Sequence, residues 1–357
     1  MTLTPEQLDR ARRQWLEGLR QAHRTDPTAA TALARARAEW MCGEYEASLP
    51  LFIEARDRAP EQPWHHLALA RTASMLDLRD LEDSAVAQGR RLHPDDPGLA
   101  LHAALRLVPA DFDQAHALLA PHAGDPLHGL YARALRMLAD GQSPEPWHCG
   151  EPRLDAYWAS FVWMSRHAGR QAFAGFPNDV LTRALAACPA TGTTLECGVY
   201  FGRSLRIIAA ATSGPVHGFD SFQGLPEAWH AGEPEGAYST GGRLPAMPSN
   251  VSLHAGWFED TLPVFFSAGQ APIRLLHVDC DIYASTRTVL ASAARHLVAG
   301  SVVVFDDFLG YPGFEEHELR AFQEHVAEHG MSWEVVAGSL LGRVVAIRMT
   351  GAGVTGT

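Results

Sequence analysis

The sequence predicts two regions, an all-α region of recurring helices followed by an α/β region built on a doubly wound parallel sheet. In residues 1–140, helical segments rich in Ala, Leu and Arg are broken at intervals by proline-containing turns. From about residue 176 onward, apolar strand-like runs alternate with helices, which is the pattern of a sheet covered by helices on both faces. At 357 residues, the chain is long enough for two domains.

Composition and charge describe a soluble globular protein and argue against two classes of partner. Hydrophobic residues make up 46% of the chain and charged residues 20%, which is ordinary for a protein with a buried core. A formal net charge of -12 disfavours nucleic acid and anionic membranes as partners. The five cysteines show no metal-site spacing, and neither a signal sequence nor a membrane-spanning apolar run of ~18 residues is visible. We therefore expect a cytoplasmic location.

The helical region shows a repeat. Pro27, Pro63, Pro97 and Pro126 follow one another at intervals of 36, 34 and 29 residues. A period near 34 residues made of two short helices is typical of the tetratricopeptide repeat, and the stretch 43–60 resembles its second helix. We predict that residues 1–140 form a tetratricopeptide-like domain that docks a protein partner on a concave surface. The alternative is a generic helical bundle whose proline spacing is coincidental.

A change of composition marks the boundary between the two regions. Residues 141–175 combine a linker rich in Pro and Gly with an aromatic helix around residues 157–164. We assign residues 176–350 to the α/β domain and residues 351–357 to a flexible tail. Within the α/β domain, the apolar runs predict strands at 193–196, 215–220, 251–254, 273–278, 301–305, 333–336 and 343–349.

Two of these predicted strands end in paired acids. Asp279 and Asp281 follow the run 273–278, and Asp306 and Asp307 follow the run 301–305. Carboxylates are costly to bury unless they are paired, hydrogen-bonded or bound to a cation. The pairs therefore indicate a metal site or an acid-base site. We interpret His277, in the fourth strand of the domain, as a packed histidine, with contact to substrate as the alternative.

The first strand of the domain ends in a turn that suits a cationic ligand. Glu196, Gly198 and Ser204 stand in the pattern E-x-G-x-x-x-G-x-S, which differs from the G-x-G-x-x-G of dinucleotide sites. The glycines allow a ligand to approach the backbone at a helix N-terminus, and an acid before the turn favours an amino-bearing ligand such as S-adenosylmethionine. Asp220 ends the next strand, where a carboxylate accepts hydrogen bonds from ribose hydroxyls.

These stretches together resemble the macrocin O-methyltransferase family, class I S-adenosylmethionine-dependent enzymes that methylate sugar hydroxyls of antibiotics. The resemblance covers about residues 176–349 and is carried by the stretches 196–204, 218–227, 256–263, 278–286 and 305–308. It implies a Rossmann-like class I methyltransferase fold and a sugar-bearing small molecule or glycan as the acceptor.

The resemblance also implies roles for individual residues. Those for the cofactor are Glu196, Gly198 and Ser204 at its methionine end, Asp220 and Ser221 at its ribose, and Trp257 near its adenine, with Asp279 also counted at the cofactor. Asp279, Asp306 and Asp307 would bind a divalent ion, and an all-carboxylate set favours magnesium, manganese or calcium over zinc. Some relatives use a histidine as the general base, three residues after the first metal ligand, but that position is Ile282 here. The resemblance therefore implies Asp281 as the general base.

The long connection between the second and third strands of the domain is predicted to be a lid. It contains many glycines and prolines, and we expect residues 223–248 to close over cofactor and acceptor. Two other functions stay open: a catechol-type phenol O-methyltransferase, and a non-catalytic interaction protein based on the repeats. The sequence leaves the oligomeric state open, a homo-oligomer included.

Overall fold

The computed structural model describes residues 5–230 and 232–351. The predicted tail lies outside these residues except for Gly351, which ends the last strand. The chain divides into two compact units, the first comprising the residues up to Ala103 together with Tyr200–Ile207 and Phe222–Ala246, and the second comprising the remainder. The helical unit thus ends before residue 140 and takes up two segments from the predicted α/β domain.

The first unit is built from helical hairpins. Its helices are α1 (Pro5–Thr25), α2 (Ala29–Met41), α3 (Tyr45–Arg58), α4 (Pro63–Met75) and α5 (Arg79–Leu92), and α6 (Pro97–Arg106) begins in it. Proline is the first residue of α4, α6 and of the later helix α8, where its missing N–H costs no hydrogen bond. Leu33, Phe52, Leu69 and Val86, one from each of α2 to α5, form its buried core. The assignment of these hairpins to the tetratricopeptide class stays a prediction.

The second unit contains an eight-stranded mixed sheet in the order β1-β7-β8-β6-β5-β2-β3-β4. The strands are β1 (Phe173–Ala174), β2 (Thr193–Cys197), β3 (Val216–Asp220), β4 (Val251–Ala255), β5 (Ile273–Val278), β6 (Val302–Phe305), β7 (Ser332–Ser339) and β8 (Val345–Gly351). All neighbours pair in parallel except β8, which is antiparallel to both β6 and β7. The predicted fold class is confirmed, with the antiparallel β8 and the short β1 as additions.

Further helices precede the sheet in the chain or connect its strands. Beyond α6 they are α7 (Phe112–Leu119), α8 (Pro126–Asp140), α9 (Pro152–His167), α10 (Pro177–Ala187), α11 (Arg203–Ala210), α12 (Phe258–Ser267), α13 (Tyr283–Ala293) and α14 (Glu318–Glu328). In the described part of the chain, none of the helices is both long and apolar enough to cross a membrane. The central strands β5 and β6 are almost entirely buried, which explains why their sequences are continuous apolar runs.

The order of the strands reverses between β2 and β5. The chain proceeds from β2 outward to β3 and β4 on one side, and from β5 outward to β6 on the other. The carboxyl ends of β2 and β5 therefore flank the switch point, which is where open α/β sheets bind their ligands. Glu196 lies near the end of β2, and Asp279 follows β5 directly.

Candidate active site

Glu196 is a fully buried acid at the switch point. The parallel register pairs Glu196 with His277, and its side chain is 0% exposed. Glu196 Oε1 lies 2.8 Å from Nδ1 of His277, and the other imidazole nitrogen lies 3.8 Å from Asp306 Oδ1. Glu196 Oε2 is buried and has no hydrogen-bond partner among the described residues. A buried carboxylate oxygen in this position fits the ammonium group of a bound amino acid moiety.

Gly198 cannot be replaced by a residue with a side chain. Its φ is +94°, and a Cβ at this position would overlap the carbonyl oxygen of Asp279. Gly198 N–H donates to Phe219 O at 2.9 Å, and Asp279 N–H donates to Cys197 O at 2.8 Å. The two strand ends are therefore held together at backbone contact, which places Glu196 and Asp279 at the same edge of the sheet.

Asp220 and its neighbours occupy the second strand end. Asp220 accepts a hydrogen bond from Val199 N–H at 2.8 Å, so its carboxylate is fixed against the turn after β2. Its carbonyl accepts from Gly256 N–H at 2.9 Å, which brings the start of α12 beside it. Trp257 is the half-buried N-cap residue of that helix, and Ser221 is also half-buried. Ser204 is buried on the first turn of α11, in the segment that belongs to the first unit.

The acids that follow β5 and β6 form a cluster. Asp279, Asp281 and Asp307 each present a carboxylate oxygen within 4.8 Å of the others, close enough to share one cation. Asp281 has a left-handed backbone, with φ +63°, a conformation that Asp adopts more readily than most residues. Asp306, predicted as a metal ligand, lies beside His277 and is not one of these three. The structure thus brings together three of the four predicted acids and groups Asp281 with the ligand candidates.

The electrostatics of the cluster are unfavourable for negative charge. Burial raises the pKa of Asp279 well above its ordinary value, and the charges of Asp306, Asp281 and Asp307 raise it further. Burial also raises the pKa of Asp281, followed by the charge of Asp307 and a hydrogen bond to that residue. Acids held at such a cost are typical of sites that bind a cation or transfer a proton.

Two residues that support the cluster were missed from the sequence. Arg343, after β7, donates from Nη1 to Asp307 Oδ1 at 2.6 Å. Glu318, on the first turn of α14, is fully buried and accepts from Asp307 N–H at 3.1 Å. Both positions are distant in sequence from the acids they contact, and no local pattern marks them. Their only signal was the presence of a charged residue in a segment predicted to be a strand or helix.

A comparison with protein families finds one match within the α/β region. Residues 195–308, which run from within β2 to the residue after Asp307, match a family described as "Methyltransferase domain". The match covers about a third of the chain. The methyltransferase resemblance seen in the sequence is confirmed over these residues, which include Glu196, Asp220 and the acid cluster.

Known proteins similar to this methyltransferase domain include an enzyme from Streptomyces olivaceus. It is an 8-demethyl-8-(2,3-dimethoxy-alpha-L-rhamnosyl)-tetracenomycin-C 4'-O-methyltransferase, 29% identical over 141 residues, or 33% of this chain and 53% of the relative. The chain thus spans about half the length of this curated relative.

Solved structures also resemble the chain. The calicheamicin methyltransferase CalS11 is 20% identical, with a TM-score of 0.39 over 60% of this chain and 90% of that chain. The O-methyltransferase NovP is 22% identical, with a TM-score of 0.36 over 48% of this chain and 79% of that chain.

Proposed function

We propose that this protein transfers a methyl group from S-adenosylmethionine to a hydroxyl of a sugar on a glycosylated natural product, with the help of a divalent metal ion. The observation that carries the proposal is the acid cluster beside Glu196 at the switch point of a methyltransferase domain. The similarity to a rhamnosyl-tetracenomycin methyltransferase supports a sugar as the acceptor.

The residues at the end of β2 and β3 suit S-adenosylmethionine. Glu196 would accept a hydrogen bond from the ammonium group of the cofactor at its unpartnered Oε2. Gly198 leaves the backbone of the turn accessible, and Asp220 would accept from the ribose hydroxyls, with Ser221 beside it and Trp257 near the adenine. When bound, S-adenosylmethionine supplies a methyl group on a positively charged sulfur, which the surrounding acids favour electrostatically.

The acid cluster suits a magnesium-type ion. Asp279 and Asp307 would hold it, with Asp306 completing the carboxylate set, and carboxylate oxygens are the ligands that such hard cations prefer. When bound, the ion supplies positive charge that lowers the proton affinity of a coordinated hydroxyl. Arg343 would keep one oxygen of Asp307 occupied and so orient the other.

In this proposal, Asp281 removes the proton from the sugar hydroxyl. A sugar hydroxyl is a weak nucleophile near neutral pH, and it must lose its proton as it attacks the methyl group. Asp281 would accept that proton at a carboxylate oxygen and would then donate a hydrogen bond to Asp307, an interaction that raises the pKa of Asp281 and so favours its protonated form.

The proposal is tested by titrating the full-length protein with S-adenosylmethionine in a calorimeter and by assaying methyl transfer to glycosides and catechols, with and without EDTA. We expect cofactor binding, methylation of glycosides and loss of turnover in EDTA that Mg²⁺ restores. The Glu196→Gln variant should weaken cofactor binding by about ten- to a hundredfold, because a charge-assisted hydrogen bond is lost. The matched control is Glu259→Gln, an exposed acid on α12.

Each part of the proposal can fail separately. Protein that binds no S-adenosylmethionine would favour the non-catalytic interaction protein. Methylation of catechols alone would replace the sugar by a phenol as the acceptor. Full turnover in EDTA would remove the metal from the mechanism and leave Asp281 as the base.

A further inference from the structure

Helix α1 contacts both segments that follow the cofactor strands. Segment 200–207 comes directly after the turn at Gly198, and segment 222–246 comes directly after Asp220 and Ser221. Both segments belong to the first compact unit, together with helices α1 to α5. Both segments of the first unit are therefore continuous in the chain with the strands that end near Gly198 and at Asp220.

Arg12 of α1 joins the two segments. Its Nη1 donates to the carbonyl of Ser239 at 3.2 Å. The same guanidinium lies over the rings of Tyr200 and Phe201, at 6.0 Å and 5.6 Å from their centroids. Tyr200 in turn packs edge to face against Tyr238, with the ring centroids 6.0 Å apart. One arginine thus contacts a carbonyl in one segment and two aromatic rings in the other.

Asp9 adds a second connection from α1 to segment 222–246. Its side chain is only 3% exposed, and Oδ1 accepts from Arg243 at 3.0 Å while Oδ2 pairs with Arg13. Gly241 lies against the same side chain, since a Cβ at that glycine would be 2.8 Å from Cβ of Asp9. A buried carboxylate needs its cationic partners, so this contact fixes the segment against the helix.

The rest of the helical unit holds segment 200–207. Arg206 donates from Nη1 to Phe201 O at 2.8 Å and from Nη2 to Ala246 O at 2.8 Å, and it lies over the ring of Tyr45. Arg203 donates to Met75 O at 3.2 Å. Together with Arg12 of α1, these contacts give segment 200–207, which carries Ser204, neighbours on three different helices.

Both segments contain strained backbone. Tyr200, Phe222 and Tyr238 have φ values of +51°, +59° and +62°. Positive φ is uncommon and strained for bulky residues, so surrounding contacts must maintain it. Segment 222–246 also has its own hydrogen bonds, because Phe222 O accepts from the N–H groups of Thr240 and Gly242. The segment is therefore a defined loop whose shape depends on what packs against it.

We propose that helix α1 is part of the cofactor-binding apparatus, with Arg12 and Asp9 as positioning residues that hold segments 200–207 and 222–246 in the shape that binds S-adenosylmethionine. The inference rests on the proposed function for the identity of the ligand. It gives the helical unit a role within the enzyme itself, in addition to any partner it docks.

The test uses the full-length protein and the variant Arg12→Met, which keeps the aliphatic stem and removes the guanidinium. We expect faster hydrogen exchange at the amides of Thr240 and Gly242, and roughly tenfold weaker binding of S-adenosylmethionine by calorimetry, a typical size for coupling between distant groups. Arg12→Lys should recover part of the affinity. The matched control is Arg24→Met on the same helix, whose guanidinium contacts only Glu17 and Gln21 in the described structure.

Arg243→Met tests the same connection from the loop side and serves if Arg12→Met does not fold. It should weaken cofactor binding to a similar extent. Variants that bind S-adenosylmethionine within twofold of the wild type would overturn the inference, even if their loop amides exchange faster. Failure of the wild type itself to bind the cofactor would instead count against the proposed function, so the two failures are distinguishable.

Discussion

Buried carboxylates in the two compact units have opposite surroundings. In the helical unit, Glu39 is fully buried and accepts from Arg20 at 2.7 Å and 2.9 Å and from Arg35 at 3.1 Å. At the edge of the sheet, the acids of the cluster face one another, and only Asp307 has an arginine, Arg343, within the described residues. The arginines neutralise the buried charge of Glu39. In the acid cluster, only Asp307 has such a cationic partner among the described residues.

The pKa values of the two groups move in opposite directions. Burial alone would raise the pKa of Glu39, but the hydrogen bonds from Arg20 and Arg35 outweigh it and lower the value. Burial and the negative neighbours both raise the pKa of Asp279 and of Asp281. A buried acid with cationic partners is stabilised by them, whereas buried acids that repel one another lower the stability of the fold unless a cation or a proton neutralises them. Replacing Glu39 by Gln should therefore lower the free energy of unfolding, whereas replacing Asp281 by Asn should leave it unchanged or raise it.

The largest effect is expected for Asp281→Asn. We expect kcat to fall by about 10²- to 10⁴-fold, the usual contribution of a general base. The free energy of unfolding in EDTA should stay the same or rise by about 1 kcal/mol, because a repulsive charge is removed and Asn tolerates the left-handed backbone. Steady-state kinetics and chemical denaturation measure the two quantities.

The control for this variant is Asp260→Asn, an exposed acid on α12, which should change neither quantity. A clear loss of stability in Asp281→Asn would show that the carboxylate supports the fold and would undermine the contrast. Retained turnover would move the general base to another residue, with Asp306 the next candidate.

The second effect is expected for Glu39→Gln, the same chemical change in the helical unit. Removing one partner from a buried ion pair leaves two arginines without their carboxylate, so the free energy of unfolding should fall by about 3–5 kcal/mol. Chemical denaturation measures the change. Glu17→Gln is the matched control, because Glu17 also pairs with Arg20 and Arg24 but is exposed, and we expect no shift of its unfolding midpoint. Equal stability of the two variants would contradict the view that Glu39 is a structural charge.

The sequence pattern predicted the strands and the acids that follow them, because an apolar run and the residues that end it are neighbours in the sequence. It also placed Glu196, Asp220 and the acids of β5 and β6 at one sheet edge, since parallel strands end together. The pairing of Glu196 with His277 depends on register, which a single sequence does not specify. The contact of Arg243 with Asp9 joins residues 234 positions apart, so no local pattern could indicate it.

The assignment within the cluster illustrates the same limit. The family resemblance separated Asp281 from the metal ligands as the general base, whereas in the structure Asp281 has a left-handed backbone and interacts with Asp307. The roles of Asp281 and Asp306 therefore stay predictions that the kinetics of their variants can decide.

The smallest effect is expected for a substitution of Glu318, which contacts Asp307 of the cluster. Its Oε2 accepts from Asp307 N–H, and burial, followed by the charges of Asp307 and Asp281, raises its pKa well above the ordinary value. An acid with a raised pKa binds its proton more tightly in the folded protein. Its contribution to stability is therefore complete below about pH 4, the ordinary range for a carboxyl, and is lost as the pH rises toward the folded pKa.

Glu318→Gln should remove this dependence, because glutamine stays neutral and its side-chain oxygen can still accept from Asp307. In EDTA, the variant should match the wild type in stability near pH 4 and exceed it at pH 8, while kcat falls only severalfold through the altered position of Asp307. Denaturation at several pH values measures the difference, with Glu328→Gln on the same helix as the control. A stability difference that is the same at every pH would mean that Glu318 does not titrate in this range, and the contrast between paired and unpaired buried acids would then hold only for the aspartates.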